Sequence, residues 1–425
     1  MSWKKTSLTK LRIYPWPLFR PGMPALKDIG DVFAASMRAQ AQIAEEQKAL
    51  AAQQQKSAEA EDSGAAAPSP ADIQALQKQS LEALLPIIRL EAMGFLALGY
   101  DSADGSGLDL TIAAPATGVP GPQGPLHVAM NKFHANALDR AIGGGNTVDG
   151  LAEDLGAAGK ISVDHASVGN MALRDVATRL LSNDPFSMAM LDGMTVGPME
   201  MDGMAMTLPI GGNVQIQKIA MTGLSFDHSF LKSFGFNASG IKPDIANMDE
   251  RAKAGLKQLG LTSATANVGA EFAWDADKKI ASLHGVMFSV DELGSIQADA
   301  DLAGIDPANP AASLQSSLVK ATVRYQDASL INRLLSAGGQ RTPDQLTQMR
   351  QAFAANLLRG LGPVAADPKM AGSVKAISDF AKTPQILTIT LAPPSPVPVV
   401  AIKGMAAQGP QVLVDSLGLS VSANQ

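Results

Sequence analysis

Residues 264–304 alternate between apolar and polar positions three times in succession, which a sheet accommodates and a helix does not. Val268, Ala270, Phe272 and Trp274 alternate first. After the turn at Asp275-Ala276-Asp277 come Val286, Phe288 and Val290. After Asp291-Glu292-Leu293-Gly294 come Ile296, Ala298, Ala300 and Leu302, with Gln297, Asp299 and Asp301 on the other side. Successive strand side chains point to opposite faces, so each run reads as a strand with one apolar face. Three antiparallel strands sharing such a face call for cover by helices or a second sheet. A similar meander opens the chain's first half. It has a strand near 92–100, a second with Leu108, Leu110 and Ile112, and a third with Leu126, Val128 and Met130.

The stretch 188–236 is the richest in methionine. Asp202-Gly203 lies between two alternating runs, a signal for a two-residue hairpin turn. In that register Met201 faces Met204 and Met199 faces Met206, so four thioethers share one face. A second run over 214–226 leads through Asp227-His228-Ser229 into an expected short helix at 230–234.

That strand, polar break and short helix recur at 126–145, 161–182, 219–235 and 318–339, with Asn136, Asn170, Asp227 and Asp327 at the breaks. Such residues cap helices. The spacing is too irregular for a solenoid and suggests internal repeats within one extended sheet.

The ends read as helical. Over 24–61, Leu26, Ile29, Val32, Phe33 and Met37 form one apolar stripe, which fades after Ile43 into Ala, Gln, Glu and Lys. Residues 62–68 are a linker by composition, and Ser69-Pro70 opens a further helix. Near the other end, Thr342-Pro343-Asp344-Gln345 is a capping box. A helix opens at Asp367-Pro368, a strand is expected at 386–391, and 412–421 is a packed apolar segment.

The expected fold is therefore α+β. Extended, mostly antiparallel sheet carries short covering helices, a helical N-terminal arm and a helical C-terminal segment. The expected divisions are 1–70 (arm and linker), 71–340 (β-rich) and 341–425 (helical, with closing strands).

Composition narrows the function classes. A net charge of −6 argues against a nucleic-acid surface. The absence of cysteine excludes disulfides, thiol catalysis and Cys-ligated zinc. It also favours a bacterial periplasmic or envelope setting, although no signal peptide is visible at residues 1–20. No apolar run is long enough for a transmembrane span.

The five histidines, His127, His134, His165, His228 and His284, form no metal-binding spacing. Gly143-Gly144-Gly145 lacks the Lys-Ser/Thr of a phosphate loop. Asp299 and Asp301 share a strand face, which reads as a solvated surface. No metal and no cofactor is expected. Thioethers select Cu(I), but methionine is also the adaptable lining of apolar cores and grooves. Met199, Met201, Met204 and Met206 are accordingly read as ligand-binding residues on an apolar face.

RYQDASLINRLLSAGG, a capped helix, KAISDFAKTPQILTITLAPPSPVP and a closing apolar strand together resemble the C-terminal half of uncharacterised, cysteine-poor bacterial envelope proteins, over about 264–425. The resemblance implies no active site. The expected function is that of a non-enzymatic binding or structural protein, which presents an apolar sheet face or groove to a lipid, acyl chain or partner segment. The N-terminal helix is a possible surface for a protein partner. The alternative is an enzyme of unrecognised class whose carboxylate and histidine groups meet only in the fold. An open apolar groove favours the first, and a pocket with a histidine within reach of an acid favours the second.

Overall fold

A computed structural model describes residues 2, 4–14, 88–89, 92–112, 126–156, 159–182, 187–208, 212–228, 230–248, 250–306, 316–337, 342–360, 362–408 and 410–424. Among them run 21 strands, and the chain divides into two compact units, residues 1–160 with 167–197 and residues 161–166 with 198–425.

In the first unit β1 (Lys5–Thr9) and β2 (Arg12–Ile13) precede β3 (Leu98–Tyr100) and β4 (Ser102–Ile112). Next come β5 (Leu126–Ala135), β6 (Leu138–Asp139), β7 (Ile142–Gly143) and β8 (Asn146–Asp154). Strands β1, β4, β5 and β8 pair in that order, all antiparallel. The short strands continue as β2, β3, β6 and β7. After β9 (Lys160–Val168) come β10 (Met171–Ala172), beside β7, and β11 (Thr195–Val196), beside β10. The core of this unit is helical and small. Ala92, Met93 and Leu96 meet Ala141 and the buried face of α1 (Arg174–Leu180), and Met190 closes the cluster.

The second unit is one long antiparallel ladder. Its strands are β12 (Met199–Leu208), β13 (Gly212–Asp227), β14 (Phe230–Pro243), β15 (Ala266–Asp275), β16 (Ile280–Val290), β17 (Gly294–Ala303) and β18 (Ser317–Asp327). Each pairs with the next. The middle of β9 lies beside β12. Beyond β18 follow β19 (Ile386–Leu391) and β21 (Leu419–Ala423), with β20 (Val397–Pro398) against the start of β18. The helices are α2 (Glu250–Gln258), α3 (Leu330–Ser336), α4 (Pro343–Gly360), α5 (Ala371–Lys382), α6 (Val399–Gln408) and α7 (Pro410–Leu417).

Three left-handed glycines keep this ladder amphipathic. Apolar positions should recur every second residue, yet they step by three at Met201/Met204 on β12, Ala238/Ile241 on β14 and Leu283/Val286 on β16. Between each pair sits a glycine with positive φ: Gly203 (+64°), Gly240 (+66°) and Gly285 (+57°). At the latter two the register shifts as in a bulge. A left-handed residue re-aims the strand, so the apolar set stays on one side despite the odd step. Strand β13 makes the same change between Gln217 and Thr222, its exposed positions passing from odd to even numbers.

The structure overturns the α+β assignment. The described residues are mainly antiparallel sheet, and the described part of the N-terminal arm is β: Lys5–Thr9 pairs with β4 and Arg12–Ile13 with β3. The apolar stripe of 24–61 and the linker lie outside the described residues. The Asp202-Gly203 hairpin is also corrected. Strand β12 runs straight through both residues, because the left-handed glycine serves to pass beneath Asp164 and makes no turn there. The strand-to-helix repeat holds at only two of its four sites, α1 and α3. At 230–234 the chain is strand β14, which registers Phe226 with Leu231 and Leu224 with Phe234. After β5 it is the β6–β7 pair. Residues 92–97, read as strand, are helical. At the C-terminal end the capping box is present: the Thr342 amide donates to Gln345 Oε1 at 2.9 Å and the Gln345 amide to Thr342 Oγ1 at 3.3 Å.

A Cβ on residue 203 would lie 2.0 Å from Asp164 Oδ2 and 2.9 Å from Asp164 Cβ. Gly203→Val is therefore expected to destabilise by about 2 kcal/mol or more, through clash and the strain of a β-branched residue at positive φ. Gly255→Ala, in α2 with open space around it, should be neutral or stabilising by up to about 1 kcal/mol. Denaturant unfolding of both variants checks the pair.

Candidate functional site

Cross-strand partners share a sheet face, so the registers assemble the second unit's apolar surface row by row. Met201, Ile219, Ala238, Val268, Phe288, Ile296, Tyr325, Leu387 and Ala423 are successive partners from β12 to β21. A second row runs Leu224, Phe234, Phe272, Leu283, Ala300, Ala321, Leu391 and Leu419. Between them lie Met199, Met221, Phe236 and Ala270, then Val286, Ala298, Val323, Ile389 and Val421. At about 4.8 Å per strand the nine-strand row spans roughly 38 Å. Its one polar side-chain atom is the Tyr325 hydroxyl, which donates to Asp327 Oδ1 at 2.7 Å. Burial and that carboxylate hold the phenol well above its ordinary pKa.

Helices cover one end of this face. The Phe380 ring of α5 meets Tyr325 edge-on at 5.9 Å. Leu318, Val397 and Leu417 form a buried cluster with Leu302, Ala321 and Leu391 below and Ile402, Met405 and Leu413 above. The open edge of β21 is closed as well: the Val421 amide donates to buried Ser373 of α5 at 3.0 Å, which denies the strand edge to another chain. Toward the middle of the face no helix among the described residues reaches the sheet. Phe288 is 52% exposed, Ile296 48%, Leu283 and Val323 41%, and Ile389 37%. Neighbouring members of three rows are therefore open to solvent together.

The four methionines singled out in the sequence lie at the far end of this surface. Met199 faces Met221, Met201 faces Ile219, Met204 faces Ile216 and Met206 faces Val214. All four are half-buried, and their partners are the less exposed residues of β13. The exposed centre, Leu283, Phe288, Ile296 and Val323, was missed as a site. Its signal was the 264–304 alternation, which says that a strand has an apolar face and not whether anything covers it.

The opposite face of the ladder is polar. Asp299 and Asp301 share it and flank His284, whose Nδ1 is 3.6 Å from Asp299 and Nε2 3.5 Å from Asp301. These carboxylates are used locally: Asp299 accepts from the Gly285 amide at 2.8 Å and Asp301 from Ser282 Oγ at 2.6 Å. Among the described residues no group of three or more His, Asp or Glu side chains is arranged to hold a metal ion.

In the first unit a cleft of about 430 Å³ opens on β1, β4, β5 and β8. His134 Nδ1 lies 2.8 Å from Asp104 Oδ1, and Ser7 Oγ donates to Asp104 Oδ2 at 3.3 Å. A histidine held by an acid in a pocket is the geometry that favours the enzyme alternative, but this dyad has no free nitrogen. Its Nε2 faces Asn136 Oδ1 at 3.2 Å. The amide is oriented by its own donation from Nδ2 to the Gly145 carbonyl at 3.0 Å. Both ring nitrogens face acceptors, so the arrangement favours the protonated imidazolium over the neutral ring.

Over residues 287–424 the chain matches a family described only as an uncharacterized protein. No curated protein matches the chain. The matched region begins in β16 and ends after β21. It overlaps most of 264–425, and the family's description attaches no compartment or activity to it.

The Asp104 hydrogen bond, followed by that of Asn136, raises the His134 pKa above its ordinary 6.5, and the His134 hydrogen bond lowers Asp104 below 3.8. The raised imidazole stabilises fully below 6.5 and less as pH rises through its folded value. The depressed carboxylate stabilises fully above 3.8 and less as pH falls through its own. The pair's contribution is therefore complete between those two values. An NMR pH titration should place the His134 midpoint above 6.5, and Asp104→Asn should bring it down.

Proposed function

We propose that the second unit is a binding platform for a hydrophobic ligand, and that its exposed apolar face receives the acyl chain of a lipid. The single observation that supports this reading is the joint exposure of Leu283, Phe288, Ile296 and Val323 on adjoining strands of one apolar surface. Contiguous exposed apolar surface of this kind marks interaction sites. The ligand class follows from what the three rows lack. Tyr325 holds their only polar side-chain atom, and Asp327 already uses it. A protein segment brings amides and carbonyls that need partners, whereas a hydrocarbon chain brings none.

Each methylene laid on such a surface and fully shielded is worth about 0.8 kcal/mol. Eight of them supply roughly 6 kcal/mol before the cost of association. Met199 and Met201 extend the same rows toward β12 and give that end an adaptable lining. The reading is of a carrier or scaffold for lipid, with no chemical step.

The test is binding of a fluorescent fatty acid. Phe288→Ser with Ile296→Ser should weaken binding at least about tenfold, because each change replaces an apolar contact by a hydroxyl worth roughly 1 kcal/mol or more. Both positions are about half exposed, so the unfolding midpoint should move little. Met199, Met201, Met204 and Met206 changed together to Leu conserve shape and should leave affinity within about threefold. Undiminished binding in the double serine variant would reject this surface as the site.

A further inference from the structure

The cleft on β1, β4, β5 and β8 gathers three basic side chains, Lys5, Lys132 and His134, with two carboxylates, Asp104 and Asp149. Its polar side chains form two adjacent rows on one sheet face. Ser7, Asp104, His134 and Thr147 are successive cross-strand partners, and two residues along each strand come Lys5, Ser106, Lys132 and Asp149. All eight line the cleft. In the first row the polar groups are already paired. Asp104 is in hydrogen-bond contact with His134 and Ser7, and the His134 ring lies between Asp104 and Asn136.

In the second row they are not. Asp149 is engaged and Lys5 acts on Asp104 at longer range through its charge, whereas neither Lys5 nor Lys132 donates a side-chain hydrogen bond or closes an ion pair among the described residues. The two lysines stand on either side of Ser106, one strand away from it in each direction. Their backbones are therefore about 10 Å apart, and two four-carbon stems can both reach a ligand seated above Ser106. Two ammonium groups bracketing a hydroxyl, with the His134 ring in the next row, keep donors available on both sides of a seat for an anion.

We propose that this cleft binds a phosphate monoester, its oxygens held by Lys5 and Lys132, with Ser106 Oγ beneath and His134 alongside. A phosphate fits better than a carboxylate because it offers three oxygens and close to two charges to donors arriving from three directions. The charged groups facing the ligand are Lys5 on β1, Asp104 on β4, Lys132 and His134 on β5, and Asp149 on β8. With His134 protonated they sum to one positive charge, and with it neutral to none, so once the phosphate is a dianion affinity should fall as pH rises further through the His134 titration. The ester could be a free metabolite or a phospholipid headgroup; the ligand atoms are the same.

Calorimetric titration of the full chain with inorganic phosphate tests the chemistry. The combined variant Lys5→Gln, Lys132→Gln should weaken binding at least about tenfold, and Lys132→Arg should keep it within about threefold. Lys160→Gln, at a distant ion pair with Asp154, should change nothing. Phosphate should also shift the His134 ring signals of the native chain in NMR spectra while leaving those of His228 in place, a readout that needs no variant. Vesicles of phosphatidic acid in phosphatidylcholine, compared with phosphatidylcholine alone, separate the two sources. Capture that requires phosphatidic acid and is lost in the Lys5/Lys132 variant assigns a headgroup. Phosphate binding without such capture assigns a free ester. Unshifted His134 signals, or equal phosphate affinity in the Lys5/Lys132 variant, would overturn the proposal.

Discussion

Everything in the second unit depends on one constraint: an uninterrupted antiparallel ladder must satisfy each strand's backbone groups through the next strand while holding all apolar side chains on one side. Register and facing are coupled, because a slip of one residue sends every side chain to the other face. Strands β12, β14 and β16 each contain such a slip in their apolar pattern, and each corrects it with a left-handed glycine, Gly203, Gly240 or Gly285. Side chains of adjoining strands stand over two of these glycines and bond the amide of the third. Asp164 lies where a Cβ of residue 203 would go, Gln217 where one of residue 240 would go, and Asp299 accepts the Gly285 amide. The ladder thus carries one apolar surface across its whole width.

That surface is finished unevenly. At the β18–β21 end, helices α5 to α7 bury it and Ser373 ties down the last strand edge. Around Phe288 and Ile296 the same kind of side chain faces solvent. A sheet with one covered and one open stretch of the same apolar row has a stability problem solved at one end and a binding capacity retained in the middle. This contrast within one row is what the lipid-platform reading rests on.

The first unit shows a different economy of charge. There His127 and His134 each lie within 3.1 Å of an aspartate; in the second unit His228 does the same and His284 sits between two at longer range. The His134–Asp104 pair sits in a cleft, and Asn136 takes the second nitrogen, which favours the protonated ring. Beside the dyad, Lys5 and Lys132 flank Ser106 and close no ion pair among the described residues.

Which segments are strands with one apolar face, from Val268 to Leu302 above all, and where the C-terminal elements start were legible in the residues alone. Alternation and capping are local: Thr342 meets Gln345 three residues away, and Phe272 and Trp274 share a face whatever surrounds them. The hairpin at Asp202-Gly203 and the helix at 230–234 failed because a left-handed glycine and a polar break have more than one use, and pairing partners elsewhere choose among them. Asp164 and β13 decided for Gly203, and Leu224 and Phe226 decided for Phe234 and Leu231. The exposed centre of the apolar face and the Lys5–Ser106–Lys132 row were decided only by the tertiary structure. Exposure depends on which helices reach a strand, and the row joins residues a hundred positions apart through register alone. Neither property has a local sequence signature, because both arise from long-range backbone pairing.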